Sequence, residues 1–298
     1  MTRLLFSLLA VLLAHPAWAV VDAVPPRPDL AEPLAAARTL FQTRGQSAEA
    51  QQAFEKIVAI DPQNAEALNY LARLALRRGD AEKAVSYAEK AAALAPDHAD
   101  IQHTLGDAHG LSAQQASLFS QLGFAKKSLA AYRRAVALAP GNVEFHLSLF
   151  NYYRQAPGIA GGGFDQAAQE AVAIKQLDPL AGHRAFAALY ASNKKYDQAL
   201  AEFDEVLQSS PNDYSALYQI GRLAATTGQF LDRGLASLRR CLELTPGRND
   251  PTHANAQWRL GLILERKPDL AGARAAYAAA LQLDPKFTPA ADSLQKLN

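Results

Sequence analysis

Seven successive segments of the chain each end in a few apolar or small residues followed by a proline. Leu and Ala dominate its hydrophobic residues, β-branched residues are sparse, and this composition favours helix over strand. The first two of the prolines are 34 residues apart, and a period near that value is typical of a helix–turn–helix array. The prolines that end the segments are Pro62, Pro96, Pro140, Pro179, Pro211, Pro246 and Pro285.

The positions inside each segment predict how two helices would pack. Small residues are expected where the helices of one unit approach most closely, and aromatic residues are expected to fill the gap to the next unit. Each unit then leaves an apolar face that only its neighbour can bury, so that stacking supplies the stability. The small residues are Ala72, Gly106, Gly221 and Gly261, and the aromatic residues are Phe54, Tyr132, Phe203 and Tyr277.

The chain resembles the tetratricopeptide repeat family over about residues 31–285. In that family the first helix carries Trp, Leu, Gly and Tyr, and the second carries Ala, an aromatic residue and Pro. One well-matched unit reads Trp258, Leu260, Gly261 and Leu264, then Ala273, Tyr277, Ala280 and Pro285, with Trp258 one position late. The resemblance implies an all-α, right-handed solenoid of about seven helix-turn-helix repeats. We expect residues 286–298 to form a C-terminal capping helix.

Residues 1–19 are typical of a secretory signal peptide. Arg3 precedes the apolar run 4–14, and small residues flank Trp18, so cleavage is expected after Ala19. Eleven apolar residues are too few to cross a membrane as a helix. Closely spaced prolines then predict an extended linker over 20–30. We expect an exported chain in a bacterial periplasm.

Charge and cysteine content narrow the function classes. Without Arg3, the expected mature chain has equal numbers of basic and acidic side chains, which disfavours nucleic acid and anionic membranes as partners. Cys241 is the single cysteine, so it cannot form an internal disulfide, and we expect a buried, inert thiol. His103 and Asp107 would share a helix face near His109, but two ligands do not make a zinc site. We therefore predict a non-enzymatic protein without metal or cofactor.

The family resemblance also implies a binding surface, because first helices line a concave groove in tetratricopeptide repeats. Arginines outnumber acids among the residues carried over to that groove, which suits an extended peptide with carboxylates. The alternative is that these arginines pair with acids on neighbouring helices. The predicted groove residues are Asn69, Arg73, Arg77, His103, Asp107, Leu147, Asn151, Arg154, Arg184, Tyr218, Arg222, Trp258, Glu265 and Arg266.

Two segments depart from the repeat pattern. About ten extra residues, 111–121, predict extended helices that project as a ridge, which is either a surface extension or a contact for a partner. A glycine-rich loop with Gly161, Gly162 and Gly163 is either a wide turn, with Pro157 ending one helix and Asp165 capping the next, or a site where free amides hold a small anion.

These features together predict a periplasmic scaffold that captures a protein or peptide segment, partly acidic, in its groove. Two alternatives remain open at this point. One is an envelope assembly factor that docks through the ridge 111–121. The other is a binder of small anions associated with a transporter, using the glycine-rich loop and Arg184.

Overall fold

The computed structural model describes residues 28–248 and 250–297 of the chain. The predicted signal peptide and the predicted linker up to residue 27 lie outside the described residues. The described residues form fifteen α-helices and two short 3₁₀ turns, Pro28–Leu30 and Gly158–Ala160. No helix among them is long and apolar enough to cross a membrane.

The helices alternate as antiparallel neighbours, and α1 to α14 make seven pairs that are followed by α15. Each pair is one repeat unit, so the architecture is the all-α solenoid of about seven repeats that the sequence predicts. The helices are α1 (Ala31–Gln42), α2 (Ser47–Ile60), α3 (Ala65–Arg78), α4 (Ala81–Leu94), α5 (Ala99–Gln115), α6 (Leu118–Leu138), α7 (Val143–Gln155), α8 (Phe164–Leu177), α9 (Pro179–Ser192), α10 (Tyr196–Ser209), α11 (Tyr214–Thr227), α12 (Leu231–Glu243), α13 (His253–Arg266), α14 (Leu270–Leu283) and α15 (Thr288–Lys296).

Short polar residues and glycines set the ends of many helices. The side chains of Asn64, Asn142 and Asp213 accept hydrogen bonds from backbone amides in the first turns of α3, α7 and α11. Gly79 and Gly228 end α3 and α11 with φ of 73° and 75°, a conformation that glycine adopts without a steric penalty. Local sequence therefore defines where these helices begin and end.

Glycine allows the two helices of a unit to approach closely, as predicted. A Cβ at Gly106 would overlap the ring of Tyr132, and a Cβ at Gly261 would overlap the ring of Tyr277. These two tyrosines thus fill space within their own units, a contact that the sequence analysis did not predict. Tyr132 also packs against the core around Leu149 of α7 and so reaches the next unit, as predicted. Each tyrosine ring packs directly against the backbone of the facing helix, and a larger residue in place of the glycine would prevent this contact.

Phe54 and Phe203 do pack towards the next unit, as the sequence predicts. Phe54 is fully buried and stacks on Tyr70 of α3, with ring centroids 4.6 Å apart. Phe203 lies in a cluster with Ala216 and Ile220 of α11. These contacts bury the apolar faces that isolated units would expose, and so they join neighbouring units.

First helices of consecutive units also contact one another, α3 with α5, α7 with α9 and α11 with α13. The surface formed by α3, α5, α7, α9, α11 and α13 is called the inner surface below. The charge of Arg248, in the segment after α12, is close enough to lower the pKa of Arg77 on α3, after burial and the nearer Arg73. The inner surface is concave where α7, α9 and α11 meet, because residues of all three helices line one pocket there.

The third unit departs from the others as the sequence predicts. Its helices have 17 and 21 residues, whereas the other helices have 9 to 14, and their far ends extend beyond the stack. The two helices meet at Ala116 and Ser117, in the middle of the segment 111–121. These far ends of α5 and α6 form the predicted ridge, residues 111–121.

Candidate functional site on the inner surface

Three arginines from three different units converge on one pocket of the inner surface. Arg154 of α7, Arg184 of α9 and Arg222 of α11 line a concavity of about 420 Å³. No Asp or Glu is among its described lining residues, and most of the other polar groups are hydroxyls. We call it the arginine pocket. Its hydroxyl-bearing lining residues are Ser192, Tyr196, Ser215, Thr226 and Thr227.

The contacts of the three guanidinium groups differ. Arg184 forms an ion pair with one carboxylate oxygen of Asp213. The other oxygen of Asp213 accepts a hydrogen bond from the Ala216 amide and caps the start of α11. Arg154 donates to the side-chain oxygen of Asn151 at 3.1 Å, and Arg222 donates to Gln219. Arg154 and Arg222 thus bond to neutral amides, and the described contacts give neither of them a carboxylate. Of the three arginines, only Arg184 pairs with an acid, as expected in the alternative to a peptide-binding groove.

Like charges act on one another in this pocket. Partial desolvation, followed by the charges of Arg259 and Arg154, lowers the pKa of Arg222. Desolvation also lowers the pKa of Arg154. The Nε atoms of Arg154 and Arg184 are buried and have no hydrogen-bond partner among the described residues. Such a pocket is electrostatically prepared for an anion, which would offset the repulsion and accept hydrogen bonds from guanidinium N–H groups that reach solvent.

The groove residues predicted on α3 have mainly structural contacts. The guanidinium of Arg77 lies 3.8 Å from the centre of the Phe41 ring and donates to the Phe41 carbonyl at 3.2 Å. Arg73 lies over Phe41 and Tyr70 at 4.9 and 5.5 Å. Asn69 is buried, and its Oδ1 has no partner among the described residues, so the prediction that it faces the groove was wrong. Asn69 lies one turn before Arg73 on the same side of α3, but its short side chain is covered, whereas the longer side chain of Arg73 reaches solvent.

His103 and Asp107 face polar groups of neighbouring helices. A ring nitrogen of His103 lies 2.8 Å from Ser148 Oγ, and the Tyr132 hydroxyl donates to Asp107 at 2.7 Å. Burial raises the pKa of Asp107, and His103 and Tyr132 oppose that shift. No group of three or more His, Cys, Asp or Glu side chains in the described residues could hold a metal ion. Leu147, also predicted for the groove, packs against the core.

Apart from Arg222, the predicted groove residues of the last two units stabilise the stack instead of lining the pocket. Tyr218 is buried, and its hydroxyl accepts from Arg259 Nε at 2.8 Å. Trp258 donates to Ser293 of α15 at 3.1 Å, which anchors the capping helix. Arg266 donates to two carbonyls at the end of α11, where a cation is favoured by the helix dipole. Glu265 accepts the Tyr277 hydroxyl.

Arg259 is a cationic residue of this region that the sequence analysis missed. Its guanidinium lies over the rings of Trp258 and Tyr218, at 4.9 and 5.6 Å from their centres. Its positive charge helps to lower the pKa of Arg222. Its position next to Trp258, a residue already assigned to the groove, is the one signal that the sequence offers.

The amides of the three glycines predicted to hold an anion are already hydrogen-bonded, so that part of the prediction was wrong. The amides of Gly161, Gly162 and Gly163 donate to backbone carbonyls within the loop or of α7, at 2.9 to 3.2 Å. Asp165 does not cap the next helix either, because Gly163 occupies the N-cap position of α8. Of the two alternatives predicted for this loop, the structure shows the wide turn. Helix α7 ends two residues before Pro157.

Cys241 lies where the sequence predicts. Its side chain is fully buried on α12, and burial raises the pKa of its thiol to about 12. The thiol is therefore protonated at neutral pH, which makes it a poor nucleophile.

Comparisons with known proteins agree with this architecture. Family models described as tetratricopeptide repeat match residues 42–106, 183–248 and 230–286, together more than half of the chain. The chain belongs to the tetratricopeptide repeat family.

Solved structures show the same fold at low sequence identity. A tetratricopeptide repeat protein from Parabacteroides merdae superposes with a TM-score of 0.63 at 16% identity, over 89% of this chain and 97% of that one. Yeast Tom70 gives a TM-score of 0.65 at 15% identity, over 95% of this chain and 59% of that one. At these identities the likeness establishes the fold alone.

A curated relative covers part of the chain by sequence. Human protein O-mannosyl-transferase TMTC1 is 28% identical over 191 residues, which are 61% of this chain and 20% of that protein. The chain thus spans about a fifth of the length of this relative. The matched family segments end at residue 106 and resume at 183.

Proposed function

We propose that this tetratricopeptide repeat protein is a non-enzymatic periplasmic scaffold that captures an acidic segment of a partner protein on its inner surface. The tetratricopeptide fold supports a role in protein–protein interaction generally. The leader-like residues 1–19 support export. The acidic character of the partner follows from the inner surface itself.

The arginine pocket is the observation that carries this proposal. Three guanidinium groups face one concavity, one of them is paired with a carboxylate, and the lining contains no acid. Guanidinium forks match carboxylates in geometry, and a charge-assisted hydrogen bond in a partly desolvated site is stronger than one in water. An Asp or Glu side chain of the partner would relieve the repulsion between Arg154 and Arg222.

The capture mechanism needs little rearrangement of the protein. The three helices that carry the arginines are held by their own units, so the donors are in place before the partner arrives. The main cost is the ordering of the partner segment, which places the expected affinity near micromolar, roughly 8 kcal/mol of binding free energy. Because the attraction is electrostatic and the pocket is open to solvent, binding should weaken as salt increases.

The test is affinity capture from the envelope fraction of the source cells with three baits. The first is the native chain, and the second carries Arg154→Gln and Arg222→Gln. The third is a matched control with Arg44→Gln and Arg239→Gln, which are exposed arginines outside the pocket. The pocket variant should lose a protein that the native and control baits retain. Cross-linking and mass spectrometry should then place an acidic segment of that protein against α7 and α11.

Circular dichroism of all three baits checks that each is folded. If the three baits retain the same proteins in equal amounts, the arginine pocket is not the site of capture and the proposal is wrong. Retention of a partner through a segment without Asp or Glu would also contradict it.

A further inference from the structure

A second pocket lies next to the arginine pocket and has the opposite character. The ridge, the last turn of α7 and the glycine-rich turn enclose a concavity of about 700 Å³, which we call the ridge pocket. None of its described lining residues is charged. Its size is within the range of cavities that hold ligands or large side chains. The ridge and the glycine-rich turn are far apart in the sequence, and the structure brings them to opposite sides of this pocket.

Exposed apolar side chains gather at the mouth of the ridge pocket. Leu118 and Ile159 line it and are 85% and 74% exposed, and Phe119, which follows Leu118 in the chain, is 99% exposed. They are the three most exposed large hydrophobic residues that the structure describes. Scattered apolar residues on a surface are ordinary, but a group of them around an uncharged concavity is typical of an interaction site.

Helix α7 lies between the two pockets, and a hydrogen bond between two of its side chains connects their linings. Asn151 and Gln155 line the ridge pocket, and Arg154, on the same turn, lines the arginine pocket. The Asn151 side chain accepts the hydrogen bond from Arg154 at 3.1 Å, so the two pockets meet at this contact. A helix is about 10 Å wide with its side chains, a distance that roughly three residues of extended chain would span.

We propose that the two pockets form one bipartite site, which binds a peptide segment carrying a large apolar side chain two to four residues from an Asp or Glu. The apolar side chain enters the ridge pocket, and the carboxylate enters the arginine pocket. This inference rests on the proposed function and specifies the partner's chemistry. Charge complementarity supports it, because a wholly acidic segment would leave the ridge pocket and its exposed apolar rim in water.

The lining favours a peptide over another amphipathic anion. Side-chain amides surround the ridge pocket, and each amide can both donate to and accept from the backbone of an extended segment. A fatty acid has an apolar chain and a carboxylate but no backbone groups to use these amides. The amides are those of Gln114, Gln121, Asn151 and Gln155.

The test is selection from a random dodecapeptide phage library on the native chain and on three double variants. Leu118→Ser with Ile159→Ser removes the apolar rim of the ridge pocket. Leu283→Ser with Val172→Ser is its matched control, since these residues are 55% and 48% exposed elsewhere on the stack. Arg154→Gln with Arg222→Gln disables the arginine pocket.

The native chain and the matched control should both select peptides with a large apolar residue two to four positions from an acid. The rim variant should keep the acidic preference and lose the apolar one, and the arginine variant should show the reverse. Selected peptides, resynthesised and measured by fluorescence polarisation, should bind the rim variant at least about tenfold more weakly than the native chain.

The outcomes distinguish this inference from the proposed function. Enrichment of acidic peptides without an apolar residue would overturn the bipartite site and leave the proposed function standing. Enrichment of apolar peptides without acids, or no enrichment, would contradict both. Calorimetric titration with dodecanoate completes the test, because tight dodecanoate binding without peptide enrichment would replace the peptide by a lipid-like anion.

Discussion

The third and seventh units share one packing arrangement and differ in how their helices end. In both, a glycine of the first helix lies under a tyrosine of the second, Gly106 under Tyr132 and Gly261 under Tyr277. In both, that tyrosine donates to a carboxylate of the first helix. The seventh unit then closes in a short turn, whereas the third continues into the ridge. Packing within the repeat and variation at the helix ends are therefore separable.

This separation suggests how a stacked fold acquires a specific site. The glycine–tyrosine contacts hold the helices of each unit together, so helix ends can lengthen without disturbing the stack. The extra residues of the third unit create a pocket beside the arginines that the regular units contribute. In this account, stability comes from what the two units share, and recognition comes from the differences between them.

The largest effect is expected where the two units are alike. Gly106→Ala and Gly261→Ala should each destabilise the protein by about 1–3 kcal/mol, because the added methyl group overlaps a packed tyrosine ring. Urea unfolding followed by circular dichroism would show a lower midpoint. Gly123→Ala is the matched control on α6, since nothing lies near its Cβ, and it should raise stability by about 0.5–1 kcal/mol.

Similar losses at Gly106 and Gly261 would support a shared packing arrangement. A loss at Gly261 with no change at Gly106 would show that the extended helices of the third unit pack differently from those of the seventh.

A smaller, pH-dependent effect is expected at Asp107 of the third unit. Burial raises the pKa of its carboxyl in the folded protein, whereas the pKa of an Asp carboxyl in the unfolded chain is about 3.9. Above that pH the folded state holds its proton more tightly than the unfolded state, so this group lowers stability as pH rises through the folded pKa. Asp107→Asn keeps an acceptor for Tyr132 and removes the charge.

The stability of Asp107→Asn relative to the native chain should therefore be greater at pH 7.5 than near the unfolded pKa of about 3.9. Thermal unfolding at the two pH values measures this difference, and Glu265→Gln supplies the reference for the seventh unit. A relative stability that is the same at both pH values would show that the Asp107 carboxyl is not desolvated in the fold.

The smallest effect is expected at the ridge. Leu118→Ser with Phe119→Ser should change the free energy of unfolding by no more than about 0.5 kcal/mol, because both side chains are almost fully exposed. Urea unfolding measures it. A loss comparable to that of Gly106→Ala would mean that these side chains pack in the folded protein, and they would then no longer be available to a partner.

Much of the fold follows from the sequence because its signals are local and repeated. The spacing of the prolines gave the number of units, and Gly261 gave a point where two helices approach closely, although the ring that packs there, Tyr277, was assigned to the gap between units. The extended third unit followed from the ten extra residues in its segment. In each case a few neighbouring residues contain the information.

The site was less predictable because it depends on how the units stack. Arg154, Arg184 and Arg222 lie in three units, and only the rotation between units brings their side chains to one pocket. Trp258, one position late in the family pattern, donates to Ser293 of the capping helix, a contact that the pattern does not specify. The amides of the glycine-rich turn looked free because sequence does not reveal which carbonyls they meet.

The central claim is that Arg154, Arg184 and Arg222 together hold an anionic group of the partner. Its most direct test is NMR of the arginine Nε–H groups in the ¹⁵N-labelled native chain, titrated with hexaglutamate. We predict that these three resonances shift together and saturate, while those of Arg44 and Arg239 stay in place. Unchanged resonances at the three arginines, or equal shifts at all five, would contradict the claim.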